Sequence, residues 1–401
     1  MQRKLLFPPR QQGGKSKLRH KGRQAVCRDT VNGNIRIERI YWWSKDDGRD
    51  ETIDQVLGIV ADQVSLGVRE MCAQVAITQQ GFRKGAKHLH HLAQINISPE
   101  RLRVITEREG RKVMEAQAKG GMETSLMPQT CQTAADGPTR IYLGADGVKV
   151  PLVTREEKAK RRKNRGPKRK GSPRRRMHGG ADNPYKEFKL ATFYDSSNAH
   201  RHVVATAGDH RALGRLVRRQ AISLGLNQFD QKVAIADGAD WIHNQLTTQL
   251  PTLDQFILDY YHLSEHIWKA ANTCFGMDSP KARAFASELL HLAKDQGGTE
   301  LLCRLLAERK TLRSPKKRQA LQELIGYVGK RIDQCDYPRY VGEGWQIGSG
   351  PTEAMCKVLT YRLKGSGMRW DRQGAEPLMA LIALDQSNAW RSHWQAKKVP
   401  A

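Results

Sequence analysis

The feature that most constrains the fold is a change of hydrophobic period near residue 139. Before it, apolar residues recur at helical spacing. Val64, Val68, Met71, Val75 and Ile77 form one stripe, and Phe82, Ala86, Leu89 and Leu92 a second. After it come three β-rich runs, at 141–147, 186–193 and 202–206, the middle one alternating cleanly. Short connections make them an antiparallel meander. A helix over 211–224, a strand over 232–238, a helix over 241–250 and a strand over 255–259 follow. Three strands and then alternating helix and strand is the order of a ribonuclease-H-like α/β core, in which the first and fourth strands lie side by side.

Punctuation divides the rest. Residues 1–50 read as a basic arm to about residue 28, broken by Pro8, Pro9, Gly13 and Gly14, followed by a short β segment after the Asn32-Gly33 turn. The apolar run Leu5-Leu6-Phe7 is too short for a signal peptide. Residues 51–120 read as helical, with Ser98 and Pro99 restarting a third, basic helix that would bury Leu102, Ile105 and Met114. That pattern suits a helix-turn-helix-like DNA-binding region, and equally a plain helical packing domain. Gly120, Gly121, Pro128, Gly137 and Pro138 mark 120–138 as a linker. The core then occupies 139–263 and resumes over 341–401, and an all-α insertion spans 264–340, with restarts at Ser279-Pro280 and Ser314-Pro315 and a break at Gly297-Gly298. Near the end, 377–384 is a nearly all-apolar helix suited to covering the sheet.

Charge narrows the partners. Against 41 Asp and Glu the chain carries 68 Lys and Arg, a formal charge of +27, so a polyanion is the natural partner. Nucleic acid is favoured over a membrane surface, since the charge is spread along the whole chain and no apolar run approaches the roughly 20 residues of a spanning helix. A run over 155–176 holds thirteen Lys or Arg and two Glu, and reads as an excursion that orders on phosphate, ending in Arg174, Arg175 and Arg176. Seven cysteines without a Cys-x-x-Cys pair fit reduced thiols in a cytoplasm, and no zinc site is expected.

Three acids carry the chemistry. Asp146 and Asp237 each end a hydrophobic strand and precede glycine, which by itself reads as a turn cap. Side by side in such a sheet, the two carboxylates would raise each other's pKa unless a cation intervened. In the stretch Gly348-Ser-Gly-Pro-Thr-Glu353, Pro351 suits a first helical position and Glu353 falls in the first turn, where capping its own helix is the bland alternative. Lys357 and Lys364 share its helical face. Mg²⁺ is the economical cation, as two ions completed by substrate phosphates, with Mn²⁺ an alternative.

The order Asp146-Gly, Asp237-Gly-Ala-Asp-Trp-Ile, Asp259-Tyr-Tyr-His262, Gly348-Ser-Gly-Pro-Thr-Glu353 and Lys364-Gly-Ser-Gly-Met-Arg-Trp370 resembles the DDE transposases of bacterial insertion sequences, most of all the ISKra type and its Lre-type and Mutator-like relatives. The resemblance covers about residues 30–390. It implies Asp146, Asp237 and Glu353 as the metal-binding catalytic triad, Asp259 and His262 as residues that order the site or the DNA, and a bacterial cytoplasmic protein working on terminal inverted repeats and target DNA as a homodimer or higher assembly. Lys357, Lys364, Arg369 and Trp370 are expected to contact DNA near the cut. Relatives often carry cysteine pairs near the N-terminus that look like a zinc ribbon; here only Cys27 precedes Trp43-Ser-Lys-Asp-Asp-Gly48, so no structural zinc and a truncated or decayed N-terminus are expected. Two rival readings keep the residues and change the outcome: a nuclease or resolvase that cuts without joining, and a non-catalytic DNA-binding relative.

Overall fold

The computed structural model describes residues 19–44, 48–49, 64–134, 137–163, 185–365, 368 and 370–397. No helix among them is long and apolar enough to cross a membrane. The chain opens with an antiparallel hairpin, β1 (Arg19–Thr30) against β2 (Gly33–Ser44), with β3 (Gly48–Arg49) on its far side. The ladder closes at Thr30↔Gly33, and Gly33 takes φ +99°, a conformation open to glycine at little strain. Residues 19–28, expected to be an arm without structure, are therefore a strand. Their own alternation is weak, and the partner strand supplies the ladder that a single-segment reading could not see.

Three helices follow: α1 (Leu66–Thr78), α2 (Phe82–Ala93) and α3 (Pro99–Lys119). Ser98 caps α3 by accepting from the Arg101 N–H at 3.1 Å. Val68, Cys72, Ala86, Leu89, Leu102 and Ile105 form their shared core. Leu92 does not join it and is 83% exposed. The reason is Gly85, where a Cβ would lie 2.9 Å from Val75 and 3.0 Å from Leu102, so α2 packs through Gly85, Ala86 and Leu89 and turns Leu92 outward. The inner face of α3 is also committed. A Cβ on Gly110 would come within 2.2 Å of the Pro377 carbonyl oxygen. Next to it, fully buried Glu109 holds Arg69 at 3.3 Å, Lys112 at 3.0 Å and Lys397 at 3.4 Å. The expected linker is partly packed too, burying Met122, Leu126 and Cys131.

The centre is a mixed sheet of β4 (Arg140–Val150), β5 (Lys186–Asp195), β6 (Arg201–Thr206), β7 (Gln231–Ala236) and β8 (Gln255–Leu258). Its order is β6-β5-β4-β7-β8, with the first three strands antiparallel and β4, β7 and β8 parallel. Part of the basic run, Arg155–Lys163, is a helix (α4), begun by Thr154, whose hydroxyl accepts from the Glu157 N–H at 3.1 Å. Residues 164–184, with Arg174, Arg175 and Arg176, lie outside the described residues.

Both faces of the sheet are covered. On one, α5 (His210–Ser223) and α6 (Asp240–Gln249) set Leu213, Val217, Ile242 and Leu246 against Ile141, Leu143 and Phe193. The insertion follows as α7 (Tyr260–Phe275), α8 (Pro280–Thr311), α9 (Pro315–Gly329) and α10 (Tyr337–Gly342). The break foreseen at Gly297-Gly298 is a kink inside α8, with Gly297 at φ 88°. On the other face lie α11 (Gly350–Lys364) and α12 (Arg372–Gln386), setting Leu359, Leu363, Leu378, Met379 and Ile382 against Phe188, Leu190 and Val203; a short α13 (Trp390–Ala396) closes the chain. Each such buried aliphatic or aromatic side chain contributes roughly 1.5–3 kcal/mol, which is what holds α11 in place.

Candidate functional site

The parallel strands β4, β7 and β8 each bring an aspartate to the same edge. The β4/β7 ladder ends at Leu143↔Ala234 and the β7/β8 ladder at Ala236↔Leu258. Carried three residues further, the first register sets Asp146 opposite Asp237. Carried one residue further, the second sets Asp237 opposite Asp259. β7 stops while β4 continues in pairing with β5, so the sheet opens between them, at the carboxyl ends of parallel strands where ligands of open α/β sheets bind.

Asp146 is half-buried, and its carboxyl pKa is raised mainly by that burial and further by the charges of Asp237 and Glu187. Two hydrogen bonds oppose the rise: the Cys356 thiol donates to Oδ2 at 2.9 Å and the Gly147 N–H to Oδ1 at 2.5 Å. Asp237 accepts from the Ala239 N–H at 2.9 Å. No lysine or arginine among the described residues pairs with Asp146, Asp237 or Glu353.

Glu353 arrives from the other side. Helix α11 can lie against β4 because Gly144 has no side chain; a Cβ there would fall 1.8 Å from Thr352 Oγ1. Thr352, Met355, Cys356, Leu359 and Leu363 face inward, and Glu353, Lys357 and Lys364 face solvent. The Glu353 carboxylate accepts no hydrogen bond within its own helix, so it is not used as a capping box. Cys356, one turn on, feels Asp146, Glu353 and Lys364 together; burial and the two acids hold its thiol protonated. Asp146 is thus close enough to feel Asp237, and Cys356 close enough to feel both Asp146 and Glu353. Among the described residues no group of three His, Cys, Asp or Glu is close enough to hold a metal ion as the side chains stand.

Asp259 organises this edge. Only 1% exposed, it caps α7 by accepting from the Tyr261 N–H at 2.7 Å and the His262 N–H at 3.4 Å, and it accepts from the Ser349 N–H at 3.0 Å and from the Ser349 hydroxyl. One carboxyl therefore ties β8 and α7 to the loop that begins the Glu353 helix. The ring of His262 lies beside His266 and Tyr327, with Nδ1 3.6 Å from Glu265. From the insertion, Tyr327 donates to the Asp237 carbonyl at 3.0 Å and Arg331 to the Gly238 carbonyl at 2.9 Å, latching the Asp237 turn.

Trp370 is corrected. Expected to meet DNA, it is buried, edge-on to Phe82 at 5.6 Å and under the Arg362 guanidinium at 5.4 Å. Its carbonyl accepts from the Val153 N–H at 2.7 Å, so its place is a core joint between α2, α11 and the segment after β4. Arg369 lies outside the described residues. Cys356, Ser349, Tyr327 and Arg331 were missed by sequence reasoning. Helical spacing from Glu353 could have flagged Cys356, whereas the others depend on contacts across 90 or more residues.

A model of an uncharacterised protein family, UPF0236, matches residues 10–163. No curated protein matches the chain. Among solved structures, the Drosophila P element transposase strand transfer complex is similar at a TM-score of 0.28 and 12% sequence identity, over 81% of this chain and 80% of that one.

Proposed function

We propose that this chain is a transposase of the DDE type, built on a ribonuclease-H-like core, that cuts DNA at the ends of a mobile element and joins the exposed 3′-hydroxyl to target DNA. The observation that carries the reading is that Asp146 on β4 feels the charge of Asp237, which follows the adjacent parallel strand β7, while Glu353 stands in the first turn of the helix packed on Gly144 of β4. The strand order supports it, since three antiparallel strands followed by two parallel ones is the arrangement such a core requires.

The donor set suits a hard divalent cation. All three side chains offer carboxylate oxygens, Asp146 and Asp237 repel each other, and among the described residues no basic side chain pairs with them. Asp146, Asp237 and Glu353 would hold Mg²⁺ or Mn²⁺, which when bound supplies Lewis-acid activation of the attacking oxygen and stabilises the leaving one. Lys357 and Lys364, exposed on the same side of α11, bind the phosphates flanking the scissile bond. Asp259, through Ser349, keeps the Glu353 helix in register, and Tyr327 and Arg331 do the same for the Asp237 turn. Much of the catalytic advantage is then positioning. Joining two element ends asks for at least a dimer.

The test is strand cleavage and end joining on labelled duplexes carrying candidate inverted repeats. Asp146→Ala, Asp237→Ala and Glu353→Ala each abolish cleavage and leave duplex binding intact. Wild-type cleavage in all three variants sinks the reading. A cut end that never appears in a second duplex reassigns the protein to the nucleases that cut without joining.

A further inference from the structure

The helix that faces outward from the N-terminal trio is α2, and apart from Leu92 near its end its outer face is basic. Arg83, Lys84, Lys87, His88, His90 and His91 are all exposed, and no acid lies anywhere in Phe82–Ala93. None of Arg83, Lys84 and Lys87 forms an ion pair with another described residue. The opposite face cannot be the outer one, since close packing at Gly85 locks Gly85, Ala86 and Leu89 inward. By contrast α3, the third and basic helix of the helix-turn-helix-like pattern, has Gly110 pressed on Pro377 and Glu109 buried with its cations.

Arg83 and Lys84 also stand in the first turn, at the positive end of the helix dipole, with no acid there and no side-chain cap. That arrangement works against the free helix and suits one whose outer face meets fixed negative charge. From residue 83 to residue 91 the helix rises about 12 Å, comparable with the width of a DNA major groove. We propose that the outer face of α2 is the duplex-DNA contact surface of the N-terminal region, with Arg83, Lys84 and Lys87 each holding a backbone phosphate. The assignment deepens the transposase reading by naming where its DNA is gripped away from the acids.

The experiment is equilibrium binding of the full chain to a 30-base-pair duplex across a salt series, with chelator present so that no strand is cut. The variants are R83Q/K84Q/K87Q and, as a control of equal charge, R211Q/R215Q/R218Q on the exposed side of α5. Counterion release predicts that the α2 variant loses roughly 2.7 from the slope of log K against log salt, about 0.9 per phosphate, and on the order of 10²-fold in affinity near 0.1 M salt. All six positions are exposed, so a matching unfolding midpoint shows that each variant is folded. An unchanged slope, or an equal loss in the α5 control, overturns the assignment, because net charge alone then explains binding. Loss of duplex-RNA binding in the α2 variant with DNA binding unaltered overturns the choice of partner. Failure of the transposase reading shows separately: binding through α2 persists while cleavage is never observed.

Discussion

Replacing Asp259 with Ala tests the claim that one buried carboxyl sets the Glu353 helix in place. Loss of the α7 cap formed with the Tyr261 and His262 N–H groups removes about 1 kcal/mol. The Ser349 N–H, in a residue 6% exposed, is left without its acceptor, which costs a further 1–3 kcal/mol by the usual range for buried donors. The sum is roughly 2–4 kcal/mol, large against a typical stability of about 5–15 kcal/mol. Urea unfolding followed by tryptophan fluorescence should show the midpoint falling with an unchanged m-value. Because the Ser349 hydroxyl also donates to Asp259, a double-mutant cycle with Ser349→Ala should return a coupling of about 1.5 kcal/mol. A stability loss below about 0.5 kcal/mol in Asp259→Ala, or a coupling near zero, would show that the Ser349 loop is held by something else.

Two further outcomes follow from other parts of the molecule. Gly144→Ala places a Cβ against Thr352 Oγ1 and must displace α11 from β4; it should lower cleavage at least tenfold while duplex binding stays within twofold, and retained cleavage would mean that the two elements need not touch. Burial holds the His393 imidazole down at a pKa of about 4, below the roughly 6.5 of an unfolded chain, and His202 and His266 are lowered by burial as well. A group whose folded pKa is depressed contributes stability above its unfolded pKa and loses it as pH falls, so stability should decline between about pH 6.5 and pH 4. His393→Gln should flatten part of that decline in urea midpoints, and an identical pH profile would remove His393 from the account.

Much of the architecture was written in local pattern. The period change near residue 139, the alternation over 186–193 and the Ser-Pro restarts at 279 and 314 set element type and order, because side-chain burial on one face imposes those periods wherever the neighbours come from. Asp237 was legible as the residue that follows a strand and Glu353 as a first-turn acid, whereas Asp146, expected to end its strand, lies inside β4, which runs on to Val150 because β5 continues to pair with it. Residues 19–28 were not, since a weakly alternating segment becomes a strand only when a partner supplies its hydrogen bonds. Which helix faces outward was also hidden. Helical periodicity shows that α2 and α3 are amphipathic, but the closeness allowed by Gly85 and Gly110 decides what each apolar stripe meets and what its other side shows to solvent. The Cys356 thiol on Asp146 and the Asp259 clasp on Ser349 join residues 210 and 90 positions apart. Sequence alone set the type and order of most segments from residue 64 on, but not the strand over 19–30 or the helix over 155–163. Tertiary packing alone decided which charges end up together, because bonds across such separations exist only once the sheet has formed.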